Sequence, residues 1–97
     1  MKVELHPEVH LDILDIMEFY EEAAGTELSA DFYSEFRRVA DVIGARPKSF
    51  PLHTPRLRRA NLDRFPHHIL YEILDQETSV ILVVKHDSRD PSFGLDR

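Results

Sequence analysis

The chain has 97 residues, 42% of them apolar, and a formal net charge of −6. This length and composition fit one folded domain spanning residues 1–97 and exclude a disordered or fibrous chain. There is no cysteine, which excludes disulfides and thiolate metal sites, and the amino-terminal stretch has no apolar run long enough for a signal or membrane segment. We therefore expect a soluble cytoplasmic protein without a cofactor or a membrane partner.

The acidic charge is concentrated in the first part of the chain. Residues 1–36 carry ten acidic residues against Lys2 alone, a net of −9, whereas residues 37–97 carry eleven basic and eight acidic residues, a net of +3. An anionic partner would therefore approach the second part, and the first part would repel nucleic acid. This distribution argues against a protein that binds nucleic acid over its whole surface.

The first quarter of the chain predicts a short strand and a helix. Residues 2–5 alternate polar and apolar over a length suited to an edge strand. From Pro7 onward, apolar residues recur every three or four positions as far as Gly25, which is expected to end the helix. The acidic residues of this segment, Asp12 among them, fall on the remaining face, which we expect to be solvated.

A second helix is predicted from about Leu28, with Ser29 as a candidate cap, because apolar residues again recur at helical spacing. It is expected to end between residues 44 and 47. The connection between the two helices, about residues 25–29, is short, which predicts an antiparallel helix hairpin. The apolar stripes of both helices then need a common cover.

The second half predicts a loop and three strands. Residues 46–55 hold three prolines, which indicates a long connecting loop. Strands are predicted at residues 56–64, 67–74 and 79–86, joined by short turns, and so form an antiparallel meander. The sequence therefore predicts an α+β fold in which the amino-terminal strand and the helix hairpin pack on one face of a three- to four-stranded antiparallel sheet.

The last two predicted strands are apolar on both faces, but the helix hairpin can cover only one face. Leaving large aliphatic side chains in water forfeits about 1.5 to 3 kcal/mol each, which favours a partner on the second face. An alternative is that the loop 45–55 covers this face through Phe50 and Leu52. The side chains expected to need this second cover are Leu70, Leu74, Ile81 and Val83.

Basic residues cluster on or beside the predicted sheet. Arginine suits the recognition of phosphate or carboxylate, and a histidine among arginines can act as a general acid or base. The alternative is a set of solvated charges that pair with acids such as Asp63 and Asp90. The residues of this group are Arg56, Arg58, Arg59, Arg64, Lys85, His86 and Arg89.

A metal site is not expected, although the chain has six histidines. His6 and His10 stand four residues apart, but neither a His-Glu-x-x-His pattern nor another closed ligand set occurs. The serines lie in no recognisable nucleophile motif.

Three segments together resemble the RelE/ParE superfamily of toxins from type II toxin–antitoxin systems, and its ParE branch in particular. They are FYEEAAG, RRANLDRFPHHILYEI and VILVVKHDSRDP. The last two combine an arginine-bearing strand, a Phe-Pro turn, an apolar strand with tyrosine, and a strand that ends in histidine before Arg-Asp-Pro. The resemblance spans nearly the whole chain. It implies a helix hairpin on an antiparallel sheet, with an apolar, arginine-lined groove that receives an amphipathic, acidic segment of a cognate antitoxin.

The resemblance leaves the cellular target open. RelE-like toxins cut messenger RNA in the ribosome, whereas ParE-like toxins inhibit DNA gyrase. Here His68 stands where many relatives have arginine, and an acidic chain is poorly suited to the polyanionic ribosome. A ParE-like gyrase toxin is therefore favoured. A RelE-like ribosome-dependent nuclease and a degenerate, non-toxic member that only binds its antitoxin are the alternatives.

The resemblance also points to individual residues. Candidates for a functional or catalytic role are Arg58, Arg59, His68, His86 and Arg89. In the nuclease interpretation, Arg58 or Arg59 would hold the scissile phosphate, and His86 or His68 would move the proton. Partners would be the antitoxin and either DNA gyrase or the ribosome with its messenger RNA, with a homodimer or an antitoxin heterotetramer left open. The predicted partner-binding residues are Arg58, Arg59, Arg64, Leu70, Leu74, Ile81, Val83 and Lys85.

Overall fold

The computed structural model describes residues 2–97. Its elements are β1 (Lys2–Leu5), α1 (Val9–Ala24), α2 (Thr26–Ala45), β2 (Arg58–Asn61), β3 (His67–Ile73) and β4 (Thr78–His86). A four-stranded sheet in the order β1-β4-β3-β2 carries the two helices, which pack on each other, and α1 also packs on β4. The predicted α+β fold is confirmed, with the first strand at the sheet edge.

The sheet is mixed and not wholly antiparallel as expected. β2, β3 and β4 form the predicted antiparallel meander, but β1 pairs parallel with β4, with Lys2 opposite Thr78 and Leu5 opposite Ile81. Parallel neighbours need a long connection, and every other element of the fold lies between these two strands in sequence. β2 is also shorter than predicted because the chain on either side of it forms loops.

The helix hairpin turns at a single residue. Gly25 has φ 94° and ψ 174°, a conformation open to glycine and strained for other residues, so α2 begins at Thr26 without a loop. The expectation that Ser29 caps this helix is therefore wrong, and Ser29 lies buried within it. Among residues 2–97, no helix combines the length and the apolar character needed to cross a bilayer.

The main core lies between the helices and one face of the sheet, here called the helix face. It is built from aromatic and aliphatic side chains that are almost fully buried. Phe32 packs edge-on against Phe65 with ring centroids 5.4 Å apart, and Phe50 packs edge-on against Tyr71 at 6.2 Å. The 46–55 loop therefore delivers Phe50 to the helix face, while Leu52 remains 58% exposed, so this loop does not cover the opposite face as the alternative supposed.

A β-bulge in β4 reassigns the faces of this strand. Leu70 pairs with Val83 and Tyr71 pairs with Ile81, so Leu82 is an extra residue on β4. Before the bulge is taken into account, simple alternation places Ile81 and Val83 on one face. With the bulge, Ile81 joins the main core and Val83 does not. The prediction that these two residues share a face is wrong for this reason.

The opposite side of the sheet, here called the second face, is covered by the chain's own tail, residues 87–97. Leu57, Leu70, Leu82 and Val83 are buried but lie outside the main core. Gly94 of the tail lies directly on Val83, so closely that an added Cβ would come within 2.6 Å of its Cγ2. The isolated chain thus covers Leu70, Leu82 and Val83 without a partner, whereas Leu74, just beyond β3, stays exposed.

One charged pair ties the tail to the first helix. The two terminal nitrogens of the Arg97 guanidinium donate to the carboxylate of Asp12, at 2.6 and 2.8 Å, and Nη1 also donates to the carbonyl of Leu82. Asp12 further accepts from the backbone N–H of Val84. Because β1 ends opposite Ile81, these contacts satisfy the part of the β4 edge that lacks a strand partner. Asp12 is therefore buried, contrary to the solvated position expected for it.

Candidate functional site

A polar cluster forms on the second face, where β2, β3 and the start of the tail meet. His68 Nδ1 lies 2.8 Å from Asp87 Oδ1, and Arg59 Nη2 lies 3.4 Å from the same oxygen. Arg59 Nε donates to Asn61 at 2.8 Å. The His68 side chain is only 4% exposed, whereas that of Asp87 is 44% exposed. We call these four residues the polar cluster.

His68 is the group in this cluster that could exchange a proton. Burial lowers its pKa below the ordinary value of histidine, and the hydrogen bond to Asp87 opposes this effect. A neutral imidazole held by a carboxylate is a common general-base arrangement. Here, however, the His68 side chain is only 4% exposed, so a substrate could not reach the ring while the residues around it stay in place.

The side chain of Lys85 makes its hydrogen bonds to the tail. Its ammonium donates to the backbone carbonyls of Asp90, Pro91 and Phe93, at 3.3, 2.9 and 3.1 Å. Burial lowers the pKa of Lys85, and Asp90 counteracts this. An ammonium has three hydrogens, so these contacts use its whole donor capacity. Lys85 therefore holds the tail and offers nothing to a partner while the tail is in place.

Arg58 and Arg59 point to opposite faces because they are consecutive in a strand. Arg59 lies in the polar cluster. The guanidinium of Arg58 instead donates to the carbonyls of Phe50 and Lys48, at 2.7 and 3.4 Å. Arg58 thus fixes the 46–55 loop on the helix face. The two arginines cannot hold one phosphate together.

His86 and Arg89 also lie apart from the polar cluster. The ring of His86 packs against His67, with centroids 5.1 Å apart, and its Nδ1 accepts from the backbone of Ser88. The guanidinium of Arg89 lies 3.9 Å from the centre of the Phe93 ring, a cation–π contact within the tail. Among residues 2–97, no three histidine, aspartate or glutamate side chains converge as a metal site would require.

Four of the predicted partner-binding residues are buried in the isolated chain. Lys85 is buried beneath the tail, and Leu70, Ile81 and Val83 are each 0% exposed, so the expectation that these residues form an open surface is wrong. The reasons are the bulge, which turns Ile81 into the main core, and the tail, which covers the second face. Of the remainder, Leu74 is 53% exposed, and Arg64 lies at the surface 3.6 Å from Asp31.

An apolar groove opens at the β1 edge of the sheet, between β1 and the two helices. It measures about 740 Å³. Its exposed apolar side chains are Leu5 and Leu14, each 47% exposed, and Tyr33, 39% exposed. Val3, Ile13 and Phe36 form its floor and walls. We call this feature the edge groove. It is distinct from the arginine-lined sheet groove that the sequence suggested.

Comparison with protein families identifies the fold. Residues 3–91 match the family described as the ParE toxin of the type II toxin–antitoxin system parDE. The chain belongs to the ParE toxin family. A solved structure titled chromosomal ParDE toxin–antitoxin system from P. aeruginosa is similar, with a TM-score of 0.78 and 16% sequence identity over 89% of this chain and 95% of that one. A search of curated proteins gave no match.

The ParE family match covers both helices, three whole strands and β1 from its second residue, but not the end of the tail. Gly94 and Arg97, which anchor the tail on Val83 and Asp12, lie beyond the matched residues. The recognition of a RelE/ParE toxin, and of the ParE branch, is confirmed at the level of the family.

Sequence reasoning missed several residues of this region. Asp87, the anchor of the polar cluster, directly follows His86, and its place at the end of a strand next to a histidine was an available signal. The role of Asp12 could not be read from helical spacing, because its partner Arg97 is distant in sequence. Nothing in the local pattern indicated that residues 87–97 fold back over the sheet.

Proposed function

We propose that this ParE-family chain is the toxin of a type II toxin–antitoxin pair that inhibits DNA gyrase in the cytoplasm. Family membership supports the toxin role. The choice of gyrase over messenger RNA rests on one observation, which is that the candidate residues either lie apart or, like His68 beside Arg59, are buried where a nuclease would need them open to its substrate. Arg58 serves the 46–55 loop and Lys85 serves the tail.

A ribonuclease must bring a phosphate-holding cation and an acid–base group within hydrogen-bonding reach of one substrate. Arg58 and His68 lie on opposite faces of the sheet, and His86 packs against His67 on the helix face. A toxin that acts by contacting gyrase needs no such constellation. Arg59 and His68 do meet in the polar cluster, but the His68 side chain is only 4% exposed. The burial of this pair and the other duties of Arg58 and His86 therefore support a toxin that acts by binding.

A RelE-like nuclease remains the second candidate because of the polar cluster. His68, Asp87 and Arg59 combine an imidazole, a carboxylate and a guanidinium within hydrogen-bonding distance. For this cluster to act on RNA, the tail would have to leave the second face and expose His68. That requirement makes the nuclease the weaker proposal.

The decisive experiment treats purified gyrase and supercoiled plasmid with the purified chain in the presence of ATP. We expect loss of supercoiling and accumulation of cleaved plasmid in which gyrase is covalently bound. Topoisomerase I serves as the control enzyme and should be unaffected. A parallel assay offers messenger RNA with and without translating ribosomes. Transcript cleavage without an effect on gyrase would overturn the proposal in favour of the nuclease. No effect in either assay, together with normal growth on expression, would indicate a degenerate member.

We further propose that a cognate antitoxin neutralises the chain by binding in the edge groove. The groove is apolar, open and free of any covering segment among residues 2–97, as a site for a partner segment should be. Coexpression of the antitoxin should rescue growth of cells that express the natural chain.

A matched pair of variants tests the location. Leu14→Asp places a charge in the groove and should abolish rescue, leaving growth arrested. Leu11→Asp places the same charge on an exposed α1 residue that does not line the groove and should leave rescue intact. Equal rescue of both variants would show that the antitoxin binds elsewhere.

A further inference from the structure

We propose that the tail occupies a phosphate-binding site on the second face, and that a phosphate-bearing ligand binds there when the tail is released. The site consists of Arg59, His68 and Lys85, here called the basic row. Its ligand is a free phosphate or a phosphate of a nucleic-acid strand. This inference goes beyond the proposed function, because neither gyrase inhibition nor antitoxin binding as proposed above uses these side chains.

The register of the sheet places the basic row on one face. Asn61 on β2 lies opposite His68 on β3, and His68 lies opposite Lys85 on β4. Directly opposed residues of antiparallel strands point to the same face, with their Cβ atoms about 4.5 to 5.5 Å apart. Arg59 stands two residues before Asn61 in β2 and therefore points to this face as well. The bulge at Leu82 lies beyond these pairs and leaves the row intact.

The members of the basic row lie close enough to affect one another electrostatically. Burial is the main cause of the lowered pKa of His68, and the positive charges of Arg59 and Lys85 add to this effect. Burial also lowers the pKa of Lys85, and the charge of Arg59 acts in the same direction. Positive groups that are held together in this way are stabilised by an anion placed between them.

The tail meets the basic row with oxygen atoms. One carboxylate oxygen of Asp87 is shared by His68 and Arg59, at 2.8 and 3.4 Å. Three backbone carbonyls of the tail accept from the ammonium of Lys85, at 3.3, 2.9 and 3.1 Å. Each of these oxygens accepts a hydrogen bond that a phosphate oxygen would accept equally well. The tail, with three aspartates against two arginines, thus substitutes for an anionic ligand.

A phosphate suits the basic row better than a carboxylate does. The carboxylate of Asp87 reaches only Arg59 and His68, so Lys85 needs separate carbonyls to complete its three hydrogen bonds. A phosphate group has more acceptor oxygens than a carboxylate, and an arginine fork and a lysine ammonium are its usual partners in proteins. The row therefore favours a phosphate over an acidic peptide.

The tail is attached in a way that allows it to leave without disrupting the sheet. Apart from the bond from the N–H of Asp87 to the carbonyl of Pro66, the backbone hydrogen bonds of residues 87–97 join residues three positions apart. The tail therefore takes no part in the ladder of the sheet. Its far end is held by side-chain contacts, chiefly the pair of Arg97 with Asp12. Loss of this pair should open the tail while the strands keep their register.

The first test measures binding of a short fluorescein-labelled oligothymidylate to the full chain by fluorescence anisotropy. Arg97→Ala should bind it about tenfold or more tightly than the natural chain, because a larger fraction of the molecules has the tail released. Loss of a positive charge would otherwise weaken the binding of an anion. Arg97→Lys keeps the charge and should give an intermediate affinity. An affinity that follows the charge of the chain, and not the release of the tail, would overturn the inference.

A second measurement uses the natural chain and so does not depend on the stability of a variant. Oligothymidylate or inorganic phosphate, at concentrations that saturate Arg97→Ala, should speed hydrogen exchange of the tail amides several-fold while β3 keeps its protection, because ligand and tail compete for the basic row. Acceleration by the oligonucleotide alone identifies a nucleic-acid strand as the ligand, and acceleration by both probes identifies the phosphate group itself. Unchanged tail exchange with both probes would contradict the proposal.

Further variants locate the site. In the Arg97→Ala background, Arg59→Ala or Lys85→Met should weaken oligothymidylate binding about tenfold or more. Arg46→Ala removes the same charge at an exposed position just after α2, outside the basic row, and should change the affinity by less than about twofold. Oligoglutamate of the same length should bind about tenfold more weakly than oligothymidylate. Equal effects of the three substitutions, or equal affinity for the two polymers, would refute the assignment of the site.

These outcomes are independent of toxicity. A chain that poisons gyrase but shows no phosphate binding on release of the tail would leave the proposed function standing and refute the inference. A chain that binds oligothymidylate on release of the tail without affecting gyrase would do the reverse.

Discussion

The two faces of the sheet are covered in opposite ways. On the helix face, two long helices bury aromatic and aliphatic side chains in one continuous core. On the second face, the short tail supplies few apolar groups, and its position is set by Lys85, Arg97 and the close approach of Gly94. The same sheet thus combines burial of apolar area on one side with directional polar contacts on the other.

This difference shows how a small chain can shield a sheet with only one layer of helices. Apolar burial is non-directional and tolerates adjustment, whereas a charged pair stabilises only in a narrow geometry and is costly when broken. We therefore expect substitutions on the helix face to act on the whole fold. Substitutions at the tail anchors should release the tail first.

The largest effect is expected from Phe32→Ala in the main core. Phe32 is 0% exposed and packs against Phe65 and His67, so truncation leaves a cavity and should lower the free energy of unfolding by about 3 to 5 kcal/mol. Urea denaturation measures this. Tyr33→Ala, at the adjacent but exposed position, is the control and should change stability by less than about 1 kcal/mol. Similar values for both would contradict the assignment of the core.

Arg97→Ala should lower stability by about 3 kcal/mol, because it leaves the buried carboxylate of Asp12 without its ionic partner. The tail amides should then exchange hydrogen far faster than those of β3 and α2, as followed by mass spectrometry. Arg97→Lys keeps the charge but cannot make two parallel hydrogen bonds. Its stability and its tail exchange rates should therefore fall between those of the natural chain and of Arg97→Ala. Unchanged protection of residues 90–96 in Arg97→Ala would show that the pair does not hold the tail.

Acidification should destabilise the helix face through His67. Burial among aromatic rings, reinforced by the neighbouring His86, lowers the pKa of His67 to about 4. The folded state therefore favours the neutral ring. The neutral His67 ring contributes its full stabilisation above pH 6.5, and this stabilisation is lost as the pH falls toward 4. The loss in the free energy of unfolding reaches about 3 kcal/mol at the acid end.

Thermal unfolding between pH 7 and 4 tests this dependence on His67. His67→Phe should flatten the profile, although His68, whose pKa is also lowered, will keep part of the slope. His53→Phe changes an exposed histidine and should leave the slope as it is. A slope unaffected by His67→Phe would assign the acid sensitivity to other groups.

The smallest of these effects should come from Gly94→Ala on the second face. An added Cβ would meet the Val83 side chain, and the φ of 82° at this position disfavours any residue with a side chain. We expect a loss of about 2 kcal/mol. Combining it with Val83→Ala should relieve the steric part, so the double variant should be more stable than the sum of the single changes predicts. Strict additivity would show that the tail does not press on Val83.

The sequence by itself determined the elements of this protein and their class. Apolar spacing located both helices, β3 and β4 to within a few residues, and the motifs in β2 to β4 identified a RelE/ParE-like toxin before any contact was known. These signals are local, since periodicity and turn residues act within a few positions of one another. The site was less accessible, because the family resemblance grouped Arg58 with Arg59 and His68 with His86, whereas the structure places the members of each pair on opposite faces of the sheet.

Only the tertiary structure decided which apolar side chains were left for a partner. One extra residue at Leu82 moved Ile81 into the main core, and the tail folded back to meet Asp12, a residue 85 positions earlier in the chain than Arg97. Neither feature can be recognised from the spacing of residues in the sequence, because a bulge and a long-range ion pair depend on partners that only folding brings together. The open surface consequently lies at the β1 edge and between the helices, and not on the sheet face that its composition suggested.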